Sequence, residues 1–521
     1  VLIDEQICEG CGDCSRQSNC IAIEPLETEM GRKRRINQSL CNKDLSCLKG
    51  FCPAFVTLEG AEVKRPAARS LADRSGLPRP VLPAIARSFD IAVTGVGGTG
   101  VVTIGAILGM AAHLEGKGCG MIDMAGLAQK GGAVFTNMRI GRSPEAVSTI
   151  RVSPGKADLV LGCDIVVTGN RKVLGAMRKD ETVVIVNKAE VMPGDFARHR
   201  DFKLPTDRLV TAIREAAGET RPLFVDAARI AEVLFANSIA ANMFMLGIAA
   251  QQGGLPVSTQ AIEQAIRLNG QAVDMNVAAF RWGRRMAHDP GAVTDMMDTR
   301  GRGSDRKIAQ TLDEIISVRE DFLAVYHNRS YAKRFRDRID AIAARESAVT
   351  KGPGVLTETA VRQLFKLMAI KDEFEVARLY TAPEFGRQLA GEFDSWQKLE
   401  FHLAPPILGR KDSNGRPKKS VFGPRMMTVF ALLSRLKPLR FSPLNPFARH
   451  PDRRMELETL ALYEADLDRI AANAGEDNIA DAARFAAWPD RIAGYGPVRV
   501  KSIEEAMAHR SDFNPVFKAK I

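Results

Sequence analysis

The chain has 521 residues, 45% of them hydrophobic, and 73 basic against 62 acidic side chains give it a formal charge of +11. That length exceeds one core at roughly 100 to 200 residues per domain, so several units are expected. The charge is modest for the length and suits an acidic protein or a phosphate-bearing partner as well as a nucleic acid, which is not expected as a ligand. The longest apolar stretch, Ile239 to Ala250, is broken by Asn242 and falls short of the ~20 residues a spanning helix needs. The first residue is Val1, and Val1 to Cys8 lack the layout of an export signal. A cytoplasmic protein is expected, its chain starting inside a longer polypeptide.

Residues 1–64 hold seven of the nine cysteines. Cys8, Cys11 and Cys14 follow a Cys-x2-Cys-x2-Cys pattern, which lets three thiolates from one tight loop converge on a cubane. In two-cluster bacterial ferredoxins the fourth ligand comes from the distal motif and precedes a proline, a place that Cys52-Pro53 fits. Cys8, Cys11, Cys14 and Cys52 are therefore expected to hold one iron-sulfur cluster. Cys20, Cys41 and Cys47 remain for a second, with Asp44 where a middle cysteine would stand. Carboxylate is a harder, weaker ligand for cluster iron than thiolate. The second group is then a 4Fe-4S cluster with Asp44 as fourth ligand, or a 3Fe-4S cluster if that corner is empty. Disulfides and zinc are the competing readings. Seven cysteines cannot all pair, no export signal is visible, and zinc spacings are wider than three cysteines in seven residues.

Residues 65–88, with Pro66, Pro78, Pro80 and Pro83, read as a linker. From Phe89 short apolar runs alternate with helical patterns: Ile91 to Thr94, Gly120 to Asp123, Asp158 to Leu161, Ile165 to Thr168, Val183 to Asn187 and Leu223 to Asp226. This alternation predicts a Rossmann-like parallel α/β sheet over 89–290, closed by helices at Ser238 to Gly247 and Ala261 to Arg285. After the first strand comes Gly95-Val96-Gly97-Gly98-Thr99-Gly100, a G-x-G-x-x-G loop opening a helix, where backbone N–H groups can approach a phosphate. Gln129 and Lys130 lie in a second glycine-bearing loop expected near the same sheet edge. Tight helix-on-strand packing explains such glycines equally simply. Cys119 and Cys163 are expected in the core. Residues 291–345 read as a helical connector and 346–521 as a mainly helical C-terminal domain, making the whole an α/β multi-domain protein.

In order along the chain, CEGCGDC, GRKRRI, CNKDLSC and FCP, then GVGGTG and MAGLAQKGG, resemble the 2-oxoacid:ferredoxin oxidoreductases, the fused indolepyruvate type above all. KLMAIKDEFEVARLY, FHLAPPILGRKD and RRMELE (Arg453 to Glu458) resemble that type's C-terminal extension. The resemblance implies a ferredoxin-like two-cluster domain followed by a gamma-type domain. It implies oxidative decarboxylation of an aryl pyruvate on thiamine diphosphate, with an acyl-coenzyme A as product and ferredoxin as electron acceptor. A thiamine site carries a Gly-Asp-Gly stretch, whereas Gly12-Asp13 and Gly194-Asp195 here lead into Cys14 and Phe196. Thiamine diphosphate and its magnesium are thus expected in an N-terminal portion outside this sequence, and a homodimer is expected from the family. The resemblance also implies coenzyme A phosphates at Gly95, Gly97, Gly98 and Gly100, with Gln129 and Lys130 facing the adjoining cleft.

Two basic runs remain, Arg32 to Arg35 and Arg410 with Lys411, Lys418 and Lys419. The first, close to the cysteines, is the expected docking face for an acidic ferredoxin, although solvated surface is the plainer reading. A rival reading joins the glycine loop to Asp123 as a ribose-binding acid in an NAD-linked iron-sulfur oxidoreductase. Another makes the chain a non-catalytic electron-transfer subunit.

Overall fold

The computed structural model describes residues 1–64, 76–125, 132–190, 192, 202–219, 222–301, 308–405 and 418–518. The cysteine-rich segment starts with a short strand β1 (Leu2–Ile3), which pairs antiparallel with β4 (Phe55–Glu59), Leu2 opposite Val56. Between them lie helix α1 (Asp13–Ser18) and the hairpin β2 (Ile23–Thr28) and β3 (Gly31–Ile36), turned at Gly31 with φ 89°. A two-residue strand, β5 (Glu62–Val63), follows β4. So small a unit buries little on its own. Its sheet is completed from more than 300 residues downstream: β13 (Lys398–Leu403) pairs with β4, β14 (Ser420–Phe422) with β13, and β12 (Phe393–Ser395) with β5. Leu2, Phe55 and Val56 share one core with Tyr380, Phe385, Phe401 and Phe430.

The second unit is built on β6 (Phe89–Val96), buried at all eight positions, as a central strand covered on both faces is, with its one charge, Asp90, paired to Arg139. The remaining strands are β7 (Gly118–Ala125), β8 (Ala133–Gly141), β9 (Leu159–Gly162), β10 (Val183–Asn187) and β11 (Pro222–Val225), in sheet order β11-β10-β9-β6-β8-β7. β6, β9, β10 and β11 run parallel as expected, but the sheet is mixed, because β8 inserts antiparallel between β6 and β7. Antiparallel neighbours need no crossover, and only seven residues, 126–132, separate β7 from β8 in the sequence. Ile165–Thr168, expected as a strand, is a helical turn. Asp164 accepts the Val167 N–H at 2.8 Å and caps it, and this local bond overrides the strand preference of Ile-Val-Val-Thr. Ala261 to Arg285 is two helices, α5 (Thr259–Asn269) and α6 (Val273–His288), split where Gly270 (φ 74°) and Ala272 (φ 43°) leave helical geometry.

α2 (Val101–Leu114) follows the glycine loop, and Ile104, Ile107 and Leu108 pack it onto Ile91 and Val93. α3 (Ala227–Phe235) leads to α4 (Ala241–Gln251), buried from Ala241 to Ala250, which lies against α6. A Cβ on Gly247 would stand 2.0 Å from the Phe280 carbonyl oxygen, and one on Gly283 1.9 Å from that of Phe244, so the two backbones touch only because both positions are glycine. Part of the proline stretch is tied to this pair, Arg284 Nη2 and Gln251 Nε2 both donating to the Pro78 carbonyl. Cys163 is buried, but Cys119, expected in the core, is exposed on the edge strand β7.

The tail is helical. α7 (Leu312–Tyr326), α8 (Arg329–Thr350), α9 (Val355–Met368), α13 (Pro451–Asn473), α14 (Ile479–Ala486) and α15 (Gly496–Lys518) contribute Tyr326, Phe335, Leu364, Tyr463, Phe485 and Ile503 to one core. α8 runs unbroken through residues 345 and 346, so connector and C-terminal segment fold around a common interior. α10 (Glu373–Thr381), α11 (Pro383–Glu392) and α12 (Met426–Arg435) pack instead on the cysteine-rich unit. Among the described residues no helix is long and apolar enough to cross a membrane.

Candidate functional site

The cysteines fall into two groups. Gly10 (φ 65°) and Gly12 (φ 76°) turn the loop that carries Cys8, Cys11 and Cys14, and a Cβ on Gly10 would lie 2.1 Å from the Arg32 carbonyl oxygen. The loop therefore lies flat on β3. Cys52 reaches it because Gly50 stands against the Cys14 backbone, where a Cβ would be 2.9 Å from Cys14 Cα. The Gly10 N–H donates to Cys8 Sγ and the Ala54 N–H to Cys52 Sγ, each at 3.4 Å.

The thiols within each group also act on one another's ionisation. Burial pushes the Cys11 thiol up to about 12, and the adjacent Cys8 adds to the shift. Cys14 and Cys52 are likewise raised by burial, and each feels Cys8 and Cys11. In the second group burial pushes Cys47 up to about 11, with Cys20 and Cys41 as its charged neighbours. Asp44 is exposed, and its Oδ1 accepts the Ser46 N–H at 3.0 Å and the Ser46 hydroxyl at 2.8 Å. Lys43 and Leu45 on either side have φ 60° and 58°, so Asp44 sits in a tight turn at the rim of this group.

All nine cysteines carry free thiols. Among the described residues no three His, Cys, Asp or Glu side chains close in on a single ion. Sulfur-only donors, burial and N–H groups aimed at sulfur are what iron-sulfur ligation uses, since buried thiolate needs both a cation and hydrogen bonds. The donor chemistry of Cys8, Cys11, Cys14 and Cys52 fits such a group, and that of Cys20, Cys41 and Cys47 fits with one position short of thiolate.

Arg32 to Arg35 do not form a docking face. Lys33 and Arg34 are 6% and 1% exposed, Arg32 pairs with Glu27 and donates to the Phe202 carbonyl, and Arg35 pairs with Glu24 and Glu232. Lys33 and Arg34, adjacent on β3, point to opposite faces and both are covered, with Cys14 and Cys8 acting on Arg34. From the second basic run, Lys419 bonds to the cysteine loop: its Nζ donates to the carbonyls of Gly50 (2.6 Å) and Cys52 (3.4 Å). Lys418 is exposed, and Arg410 and Lys411 lie outside the described residues. Sequence reasoning missed Lys371, Tyr380, Tyr495 and Arg499, which reach the same loop from the tail, because nothing local marks a contact over such separations.

In the glycine loop each residue has its own reason. A Cβ on Gly95 would meet Val101 Cγ2 at 2.5 Å, and one on Gly97 the Gly132 carbonyl oxygen at 3.3 Å, so both serve close packing. The Gly97 N–H donates to Gly132 O at 2.7 Å. Gly98 and Gly100 have φ 89° and 84°, and Asn242 Nδ2 donates to the Thr99 carbonyl at 2.6 Å. Gly98 is exposed, and Ile21, next to Cys20, faces it. Gln129 and Lys130 lie outside the described residues. Asp123 accepts the Thr136 hydroxyl at 2.6 Å on β7, which β8 separates from the glycine-loop strand. A ribose-binding acid belongs on the strand adjacent to the glycine loop, so this arrangement removes the basis for the NAD reading.

A mixed sheet thus carries the glycine loop against a cysteine-rich module, and the comparisons place that sheet in a family. Residues 90–286 match the family described as pyruvate ferredoxin/flavodoxin oxidoreductase, and residues 312–512 match a family of unknown function, DUF6537. The chain belongs to the pyruvate ferredoxin/flavodoxin oxidoreductase family, with a 2-oxoacid:ferredoxin oxidoreductase gamma-type region. Within that family it is similar to indolepyruvate oxidoreductase subunit IorB of Methanothermobacter thermautotrophicus, 31% identical over 200 residues that make up 38% of this chain and 96% of that one. The IorB subunit of Thermococcus kodakarensis is 27% identical over 205 residues, 39% of this chain and 98% of the relative. The crystal structure of pyruvate oxidoreductase subunit PORC from Thermotoga maritima is 23% identical, covering 38% of this chain and 94% of its own, with a TM-score of 0.28.

Proposed function

We propose that this chain is the electron-transfer and gamma-type portion of a thiamine diphosphate-dependent indolepyruvate ferredoxin oxidoreductase, which converts an aryl pyruvate to an acyl-coenzyme A and passes the electrons to ferredoxin. One observation carries the reading: a region of the oxidoreductase family holds its glycine loop against the residue following Cys20, beside a second, deeper set of four thiols. The carbon chemistry belongs to a thiamine diphosphate- and magnesium-binding portion outside this sequence, in a cytoplasmic, homodimeric assembly. Iron-sulfur clusters supply one-electron transfer. Cys8, Cys11, Cys14 and Cys52 would hold one 4Fe-4S cluster. Cys20, Cys41 and Cys47 would hold the other, completed by Asp44 or left as 3Fe-4S.

The protein's own part is to bind, orient and exclude water. The Gly10 and Ala54 N–H groups stabilise negative charge on sulfur, and the tail keeps solvent from the first group. Gly98 and Gly100, with Gln129 and Lys130, would receive coenzyme A phosphates, while Gly95 and Gly97 keep the loop close to the sheet. Iron and sulfide analysis with spectroscopy of anaerobically purified protein tests the reading. Brown protein with two distinct reducible signals is expected. Colourless, iron-free or zinc-only protein would overturn it.

A further inference from the structure

The tail has no assigned role, yet it supplies much of the wall around the first thiol group. Lys371, just before α10, points Nζ at the carbonyls of Ile7 (3.3 Å) and Cys8 (3.2 Å) and at Glu9 (2.6 Å). Lys419, on the approach to β14, does the same at the other end of the ligand set, at Gly50 and Cys52. Tyr495 donates to the Ile7 carbonyl and Tyr380 to the Pro53 carbonyl, both at 2.5 Å. Arg499 shares Glu9 with Lys371 at 3.5 Å, and a Cβ on Gly494 would stand 3.4 Å from Cys11 Cβ. With Lys33 and Arg34 from β3, cations outnumber carboxylates around this group.

We propose that the tail is the second half of the first thiol site, and that Lys371 and Lys419 set both the retention and the reduction potential of the cluster held by Cys8, Cys11, Cys14 and Cys52. The inference rests on the iron-sulfur reading above. Each one-electron reduction adds a negative charge to the site, and a cation fixed in a water-poor interior favours that state far more than one in solvent. Both lysines bind backbone carbonyls of ligand residues, so they also hold those residues in place. Lys419 is the more central: Cys52, Cys47 and Cys14 are its nearest charged neighbours, so its field reaches both groups. Glu9 sits at the other side, its carboxyl held down to about 2; burial opposes that shift, and Lys371, Lys33 and Arg499 outweigh it.

The test uses the full chain with its clusters intact, titrated electrochemically and followed by electron paramagnetic resonance. Lys371→Met should move one midpoint potential negative and leave the other in place, and Lys419→Met should move both, the first group more. Lys371→Arg and Lys419→Arg should restore wild-type midpoints, and the exposed neighbour Lys418→Met should change nothing. Iron lost in a Met variant and regained in its Arg counterpart also supports the proposal. Full iron with unmoved midpoints overturns it, as does iron loss that Arg does not repair or an equal shift in Lys418→Met. Iron-free wild-type protein would instead sink the cluster reading itself.

Discussion

Ile21 places its Cδ1 3.4 Å from the point where a Cβ on Gly98 would stand. The glycine loop therefore touches the residue that follows Cys20, and the loop's left-handed turn aims it there. Gly98 has φ 89°, a conformation that costs any other residue about 1 to 2 kcal/mol. Gly98→Ala should lower stability by that amount in urea unfolding while iron content is retained. A Gly98→Val variant reaches farther and should alter the spectrum of the second group alone.

Asp44 is engaged by Ser46 at the rim of the second group and is exposed. If the second group holds a cluster as proposed, Asp44→Cys supplies a softer ligand at its weakest corner. Low-temperature spectra should change from three-iron to four-iron type, or the four-iron signal should survive oxidation longer. Identical spectra and iron content would remove this position from the ligand set.

Phe401 is fully buried on β13, its ring 4.9 Å from that of Tyr380 and 5.1 Å from that of Phe430. Phe401→Ala should cost about 3 to 5 kcal/mol. Because that core also contains Cys8, Cys14, Cys47 and Cys52, iron should be lost along with stability, more than 340 residues away in sequence. Iron analysis after gel filtration reads the effect.

Arg440 is 5% exposed, bonds Asp372 at 2.6 Å, lies 3.5 Å from Glu375 and covers the Tyr326 ring at 3.6 Å. Removing it leaves Asp372 in the interior without its cation, while Glu375 keeps Arg378 at 2.6 Å. Arg440→Ala should destabilise by about 3 to 5 kcal/mol, and Arg440→Lys should recover only part, since one ammonium cannot reproduce the fork. Denaturant unfolding followed by circular dichroism measures both.

Burial raises the Asp164 carboxyl to about 6, and its Oδ2 has no hydrogen-bond partner among the described residues. A folded-state value above the unfolded one means that the folded protein binds the proton more tightly. The stabilisation is complete below the unfolded value near 3.8 and is lost as pH rises through about 6, about 2 to 3 kcal/mol in all. Asp164→Asn keeps the cap and should flatten this part of the stability profile between pH 4 and 7. An unchanged slope would place the proton elsewhere.

The sequence showed that Cys8, Cys11 and Cys14 share one tight loop, and the structure adds that Cys52 is brought to that loop by the close approach of Gly50 to Cys14. The parallel strands β6, β9, β10 and β11 were legible too, since strands covered on both faces are short runs rich in Val, Ile and Leu. Ile165–Thr168 was misread because a single Asp164 bond decided a four-residue run. Arg32 to Arg35 were misread as surface because a charge pattern carries no record of burial.

Local order along the chain, then, determined where the cysteines stand, which residues turn and which pair with near neighbours. Only the tertiary structure decided that β8 would enter between β6 and β7, that β13 would complete the sheet begun by β1, and that Lys371 and Lys419 would meet Cys8 and Cys52. Those contacts join segments hundreds of residues apart, and they form because burying shared apolar surface repays the entropy of closing so long a loop, a balance no short window of residues contains.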